Sequence, residues 1–200
     1  MDYRLNKQLL FDILGQWNGF AKRKIHLIAC GGTAMTLQDI KESTKDVDFI
    51  VPVEKEYKHL VRMLKDLGYQ QTTGSGWRKK GDMFIFDFFP GKRIHTTELL
   101  ESPLEEDRHV LLKEFSHLYI GVLNDYDLIC SKLFRGTSVD FDDCLMLARA
   151  HRDIIDLEHL DRHFREMAQY DISETRILGN LDRFLDLLRG ERGHEPEGIP

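Results

Sequence analysis

The chain has 200 residues, 42% of them hydrophobic and 31% charged, with a formal net charge of −6. That balance fits one globular domain, or one with a small helical appendage, and excludes wholesale disorder. The acidic excess counts against sequence-blind binding of nucleic acid, but not against a local basic groove. No stretch of about eighteen apolar residues occurs, so no membrane span is expected. The opening MDYRLNKQLLFDIL is amphipathic and lacks the apolar core of a secretion signal. Cys30, Cys130 and Cys144 sit in apolar surroundings without a paired motif. They read as buried small residues of a cytoplasmic protein.

Leu9, Leu10, Ile13, Leu14 and Trp17 recur at helical spacing within 5–20. Residues 26–30 form a short apolar run that stops at two glycines and reads as a buried strand. A helix is expected over 33–40 and a second strand over 47–51, closed by Pro52. Residues 54–67 carry Tyr57, Leu60, Val61 and Leu64 on one helical face and stop at Gly68. Residues 70–79 and 82–89 read as the two strands of a hairpin. Gly74 and Gly76 are placed to bend the first strand, and Lys80-Gly81 to turn between them. The charged segment 101–114 reads as a surface loop or lid. A strand over 118–123 precedes a helix from Asn124 or Asp125 to about Phe134. Helices over 140–151, 155–170 and 173–188 follow, the last with Ser173 as its cap. The expected organisation is an α/β part over 1–123, a helical part over 124–189 and a disordered tail over 190–200.

Chemistry concentrates in one stretch. Gly31-Gly32-Thr33 stands between strand and helix, where it serves either a tight turn or close backbone approach to a phosphate at a helix start. Asp46 and Asp48 are two apart and share a face of the following strand, with Val47, Phe49 and Val51 on the other. Adjacent carboxylates repel unless a cation sits between them. The pair is therefore either a solvated strand face or the start of a metal site. Asp87 is a lone charge within Met-Phe-Ile-Phe-Asp-Phe-Phe, where an unpaired buried carboxylate would cost several kcal/mol. If its strand lies beside that of Asp48, three carboxylates converge, as in-line phosphoryl transfer with divalent metal ions requires. Asp82 falls on the opposite face of that strand.

Gly31-Gly32-Thr33, then Lys45-Asp46-Val47-Asp48, then Asp87 resemble the polymerase-beta-type nucleotidyltransferase superfamily. The wording GGTAMTL…EST-KDVDF resembles its small minimal members, including relatives of AbiEii-type toxins. Asp127-Leu-Ile-Cys-Ser-Lys132-Leu-Phe-Arg135 and Asp140-Phe-Asp-Asp143 resemble a downstream segment of that group. The resemblance covers about 28–147. It implies an α+β fold, a mixed sheet with helices on one side followed by a C-terminal helical region. It implies transfer of a nucleoside monophosphate from an NTP to an acceptor hydroxyl on RNA, tRNA, protein or a small molecule. Asp46, Asp48 and Asp87 would hold Mg²⁺ or Mn²⁺, with Asp87 a possible base. Gly31, Gly32, Thr33, Lys45 and Lys132 would hold the nucleotide, with Thr44, Arg135, Asp140 and Asp143 in support. Asp140 and Asp143 are one helical turn apart, so capping or pairing with Lys132 or Arg135 is an equal reading. The same resemblance allows a toxin with a cognate antitoxin, or a catalytically silent relative that binds nucleotide or a protein partner. Relatives often place an arginine ahead of the two aspartates; here the nearest bases are Lys41 and Lys45.

Two further patterns carry alternatives. His159 and His163 are one turn apart, a metal pair or a solvated face. Trp77-Arg78-Lys79-Lys80 is either a grip for a nucleic-acid acceptor or an exposed hairpin with one packed tryptophan.

Overall fold

The computed structural model describes residues 4–192. Its first unit, through Leu128, is built on a seven-stranded sheet; its second, from Ile129, is helical among the described residues. In the first unit α1 (Lys7–Phe20) leads to β1 (Ile25–Ala29), α2 (Gly31–Leu37), β2 (Val47–Val51) and α3 (Glu54–Asp66). Then come β3 (Tyr69–Gln71), β4 (Gly76–Lys79), β5 (Phe86–Pro90), the short pair β6 (Arg93–Ile94) and β7 (Thr97–Glu98), β8 (His109–Glu114) and β9 (Leu118–Leu123). The sheet order is β3-β4-β5-β2-β1-β9-β8. Pairs β1/β9 and β2/β5 are parallel and the others antiparallel, so the sheet is mixed.

Side-chain alternation gives the central strands two distinct faces. Val47 aligns with Phe86 and Phe49 with Phe88 on one face; Asp48 aligns with Asp87 on the other. α1 covers the aromatic face. Its Trp17 ring lies 4.8 Å from Phe86, 5.5 Å from Tyr69 and 6.0 Å from Phe88. Each such buried side chain contributes about 1.5–3 kcal/mol relative to exposure. Asn6 starts α1 by accepting a hydrogen bond from the Leu9 amide at 2.9 Å.

Two expectations change here. The strand expected over 70–79 is broken into β3 and β4 at 72–75. The Thr72 amide bonds Gly76 O at 2.8 Å, turning the chain back so that β3 and β4 pair with each other. The segment 101–114 is not all loop: 109–114 is β8, paired with β9 at the sheet edge.

α4 (Asp125–Arg135) spans the division between units, which falls after Leu128, and the boundary expected at 123/124 lies ahead of that helix. α5 (Ser138–Ala150), α6 (Leu157–Ala168) and α7 (Glu174–Arg192) complete the second unit. Leu160, Phe164, Ile177, Leu181 and Phe184 are fully buried there, and the Phe134 ring meets Phe164 edge-on at 5.1 Å. Gly136, at φ +70°, ends α4, and Asn180 Nδ2 donates to Leu133 O at 2.8 Å. α7 continues through Gly190 to Arg192. The rest of the expected tail, 193–200, lies outside the described residues. No helix among the described residues is long and apolar enough to cross a membrane.

Candidate active site

Asp48 and Asp87 are register partners on adjacent parallel strands and therefore share a face. The sequence reading made convergence conditional on this pairing. Asp48 is 9% exposed, and Asp87 is half-buried. The Ser75 hydroxyl donates to Asp87 Oδ1 at 2.6 Å, fixing that carboxylate from the 72–75 turn. Asp46 lies just ahead of β2 and is exposed, as is Lys45.

The glycine turn is built against this pair. Gly31 has φ +57°, a left-handed conformation that favours glycine. A Cβ there would stand 2.5 Å from Asp48 Oδ2. A Cβ on Gly32 would stand 2.9 Å from Thr44 Oγ1. Gly31 holds backbone against Asp48, and Gly32 against Thr44, at distances that a side chain does not permit unless its neighbour shifts.

Two threonines fix the segment itself. Thr33 is fully buried; its hydroxyl accepts from the Asp48 amide at 2.9 Å and donates to Asp46 O at 3.2 Å. Thr44 Oγ1 also donates to Asp46 O, at 2.8 Å. The Cys30 amide bonds Asp48 O at 3.1 Å. Thr44 is tied in turn to the start of the chain through reciprocal backbone bonds with Leu5 at 2.8 and 2.9 Å. In this structure the Thr33 hydroxyl positions the two aspartates.

The donor set is carboxylate oxygen, which suits a hard cation such as Mg²⁺. Such a cation is ordinarily held by one or two carboxylates together with substrate phosphates. The Asp48/Asp87 pair meets that need. Among the described residues no three His, Cys, Asp or Glu side chains are gathered closely enough to hold a metal ion. Among the described residues Asp46 therefore does not complete a closed three-carboxylate cluster, and no third such ligand is gathered with His159 and His163.

The other four expected residues lie in the second unit, in two ion pairs. Lys132 Nζ bonds Asp143 Oδ2 at 2.7 Å, with both side chains buried. Arg135 grips Asp140 with both arms, Nε to Oδ2 at 2.8 Å and the terminal nitrogen to Oδ1. Asp140 also closes a capping box at the start of α5. Its Oδ2 accepts from the Thr137 amide and hydroxyl at 3.0 and 2.7 Å, and Thr137 Oγ1 accepts from the Asp140 amide. Burial pushes the Asp140 carboxyl up, but the bonds from Arg135 and Thr137 outweigh it and leave its pKa below the ordinary value. These contacts give Asp140 a structural role. Trp77 is 2% exposed, which matches a packed tryptophan and not a stacking platform.

Sequence reading missed Ser75. Its link to Asp87 spans twelve residues, and only the β4/β5 register, which pairs Gly76 with Asp87, brings it there.

The mixed sheet followed by helices is the fold of nucleotidyltransferases. A family profile described as "Nucleotidyltransferase of unknown function (DUF6036)" matches residues 9–186, so the chain belongs to that family. No curated protein matches the chain. Among solved structures, the antibiotic-resistance factor ANT(2'')-Ia in solution superposes with a TM-score of 0.53 at 13% identity, covering 94% of this chain and 100% of that one. JHP933 from Helicobacter pylori gives 0.46 at 15% identity, covering 94% of each chain. ANT(2'')-Ia in complex with adenylyl-2''-tobramycin gives 0.44 at 12%, covering 90% of this chain and 97% of that one.

Proposed function

We propose that this chain transfers a nucleoside monophosphate from an NTP to an acceptor hydroxyl, with Mg²⁺ or Mn²⁺ held by Asp48 and Asp87 and joined by Asp46. The observation that carries this reading is the in-register Asp48/Asp87 pair beneath a glycine that leaves no room for a side chain. The cation would neutralise phosphate charge. Gly31 and Gly32 would admit the triphosphate to the backbone, with Lys45 beside it. Asp87, held by Ser75, would take the acceptor proton. Thr33 and Thr44 would keep the aspartate segment in place.

Release of pyrophosphate from each of the four NTPs tests the reading, with total RNA, tRNA, casein and an aminoglycoside supplied in turn as acceptor. Metal-dependent release that Asp87→Asn abolishes supports it. Release that survives that change removes Asp87 from the chemistry. A cytoplasmic toxin opposed by an antitoxin rests on the AbiEii-type resemblance. Growth arrest on expression, relieved by Asp48→Asn, is its test.

A second reading, a catalytically silent module that binds nucleotide or a protein partner, rests on the same family resemblance. It predicts nucleotide binding without pyrophosphate release for any acceptor.

A further inference from the structure

A cleft of about 650 Å³ lies between the end of α1 and the exposed face of α3, within the first unit. That volume suits a ligand of nucleotide size. Five of its lining side chains are cationic and one, Asp66, is acidic, in a chain whose net charge is −6. Among the described residues Lys22, Arg23, Lys55 and Arg62 have no ion-pair partner. The fifth cation, Lys58, pairs with Glu54 on the surface at 2.6 Å.

Local helix stability accounts for only part of this charge. Lys22 and Arg23 follow the C-terminus of α1, where cations are favoured. Lys55 stands in the first turn of α3, where a cation is disfavoured. Lys55, Lys58 and Arg62 recur at three- and four-residue spacing, so they share one helix face. Like charges gathered on one concave wall repel unless an anion enters.

Two more features point to a ligand. His59 lines the cleft, and its Nε2 is shut off from solvent without a hydrogen-bond partner. A buried polar atom left unpaired is costly, and a ligand oxygen would satisfy it once the ring turned toward the cleft. Burial and the fields of Arg23, Arg62 and Lys22 hold the His59 pKa below its ordinary value, so at neutral pH the ring is an uncharged hydrogen-bonding group. Phe20 also lines the cleft and is 58% exposed, presenting an aromatic ring beside the cations.

We infer that this cleft is a second, metal-independent binding site for a nucleoside polyphosphate, its phosphates on Lys22, Arg23, Lys55 and Arg62 and its base against Phe20. None of these residues belongs to the Asp48/Asp87 site, so the inference stands apart from the transfer reaction.

Calorimetric titration with ATP and with inorganic tripolyphosphate, in EDTA and low salt, tests it. Both should bind one per chain, and ATP about tenfold more tightly, the order expected for stacking on one ring. Phe20→Ala should reduce ATP to the tripolyphosphate level. Arg23→Gln/Arg62→Gln should weaken both at least tenfold, whereas Asp48→Asn/Asp87→Asn should leave both unchanged. Lys22→Gln/Lys55→Gln repeats the test with other side chains, and thermal unfolding verifies that each variant is folded. Absence of metal-free binding, or binding indifferent to both cation pairs, overturns the site. A twenty-nucleotide single-stranded RNA that binds the cleft where ATP does not also overturns it, in favour of a nucleic-acid surface.

Discussion

Asp48 and Asp87 lie opposite one another, in register, on the parallel strands β2 and β5. Two carboxylates so placed repel, and a divalent cation relieves that repulsion. Replacing either by asparagine should lower nucleotidyl transfer about 10³-fold or more, the scale of losing several kcal/mol of charge stabilisation. The fold should survive, because the aromatic face that packs on α1 is untouched. Initial-rate assays beside thermal unfolding of each variant check both halves.

Asp46 separates the two readings of the site. It is exposed and precedes the strand. If it joins the metal once nucleotide is bound, Asp46→Asn should reduce activity as severely as Asp48→Asn. A loss below tenfold would confine the metal to the Asp48/Asp87 pair. The comparison requires saturating Mg²⁺, so that weakened metal affinity is not mistaken for a chemical defect.

Gly31 is the most demanding backbone position of the site. Alanine there must hold a left-handed conformation, costing about 1–2 kcal/mol, and must also displace the Asp48 carboxylate. Urea unfolding should show at least that loss, with activity falling further. Gly179 in α7 provides the control. A Cβ there meets nothing within 4 Å, so Gly179→Ala should stabilise by about 0.5–1 kcal/mol.

The Lys132–Asp143 pair is buried. Asp143→Ala leaves a buried cation uncompensated and should destabilise by about 3–5 kcal/mol. Replacing both partners, as Lys132→Met/Asp143→Leu, should recover much of that loss. Chemical denaturation of the three variants reads the pattern.

Asp140 makes stability depend on pH in a definite direction. Its folded pKa is lowered, so the charged form favours the folded state. That contribution is complete above the unfolded value of about 3.9 and is lost as pH falls through the lowered folded value. Unfolding of the wild type and of Asp140→Asn should therefore differ most above about pH 4, and the two should converge in stronger acid. A difference that grows on acidification would contradict the assignment.

Much of this architecture was legible because its signals are local. β2 has the expected bounds, since its apolar run ends at a proline. The glycine turn and the aspartates were legible as residue types at fixed spacing. β8 was not, because it is an edge strand whose side chains are half-buried or exposed, Val110 and Leu111 among them. Such a strand is held by backbone bonds to β9 and leaves no alternation of apolar and polar residues to read. Gly74 and Gly76 marked a bend between β3 and β4, but a glycine-containing run of polar residues does not reveal that pairing reverses there. The roles of Ser75 and Thr33 depend on register between distant segments, which spacing along the chain cannot supply.

The most direct measurement is calorimetric titration of each NTP with and without Mg²⁺, in the Arg23→Gln/Arg62→Gln background so that metal-free binding at the α1–α3 cleft is weakened. The account predicts a binding event for at least one NTP that requires Mg²⁺ and disappears when Asp48→Asn/Asp87→Asn is added. Absence of any Mg²⁺-dependent event, or a Mg²⁺-dependent event that persists in the carboxylate variant, would contradict it.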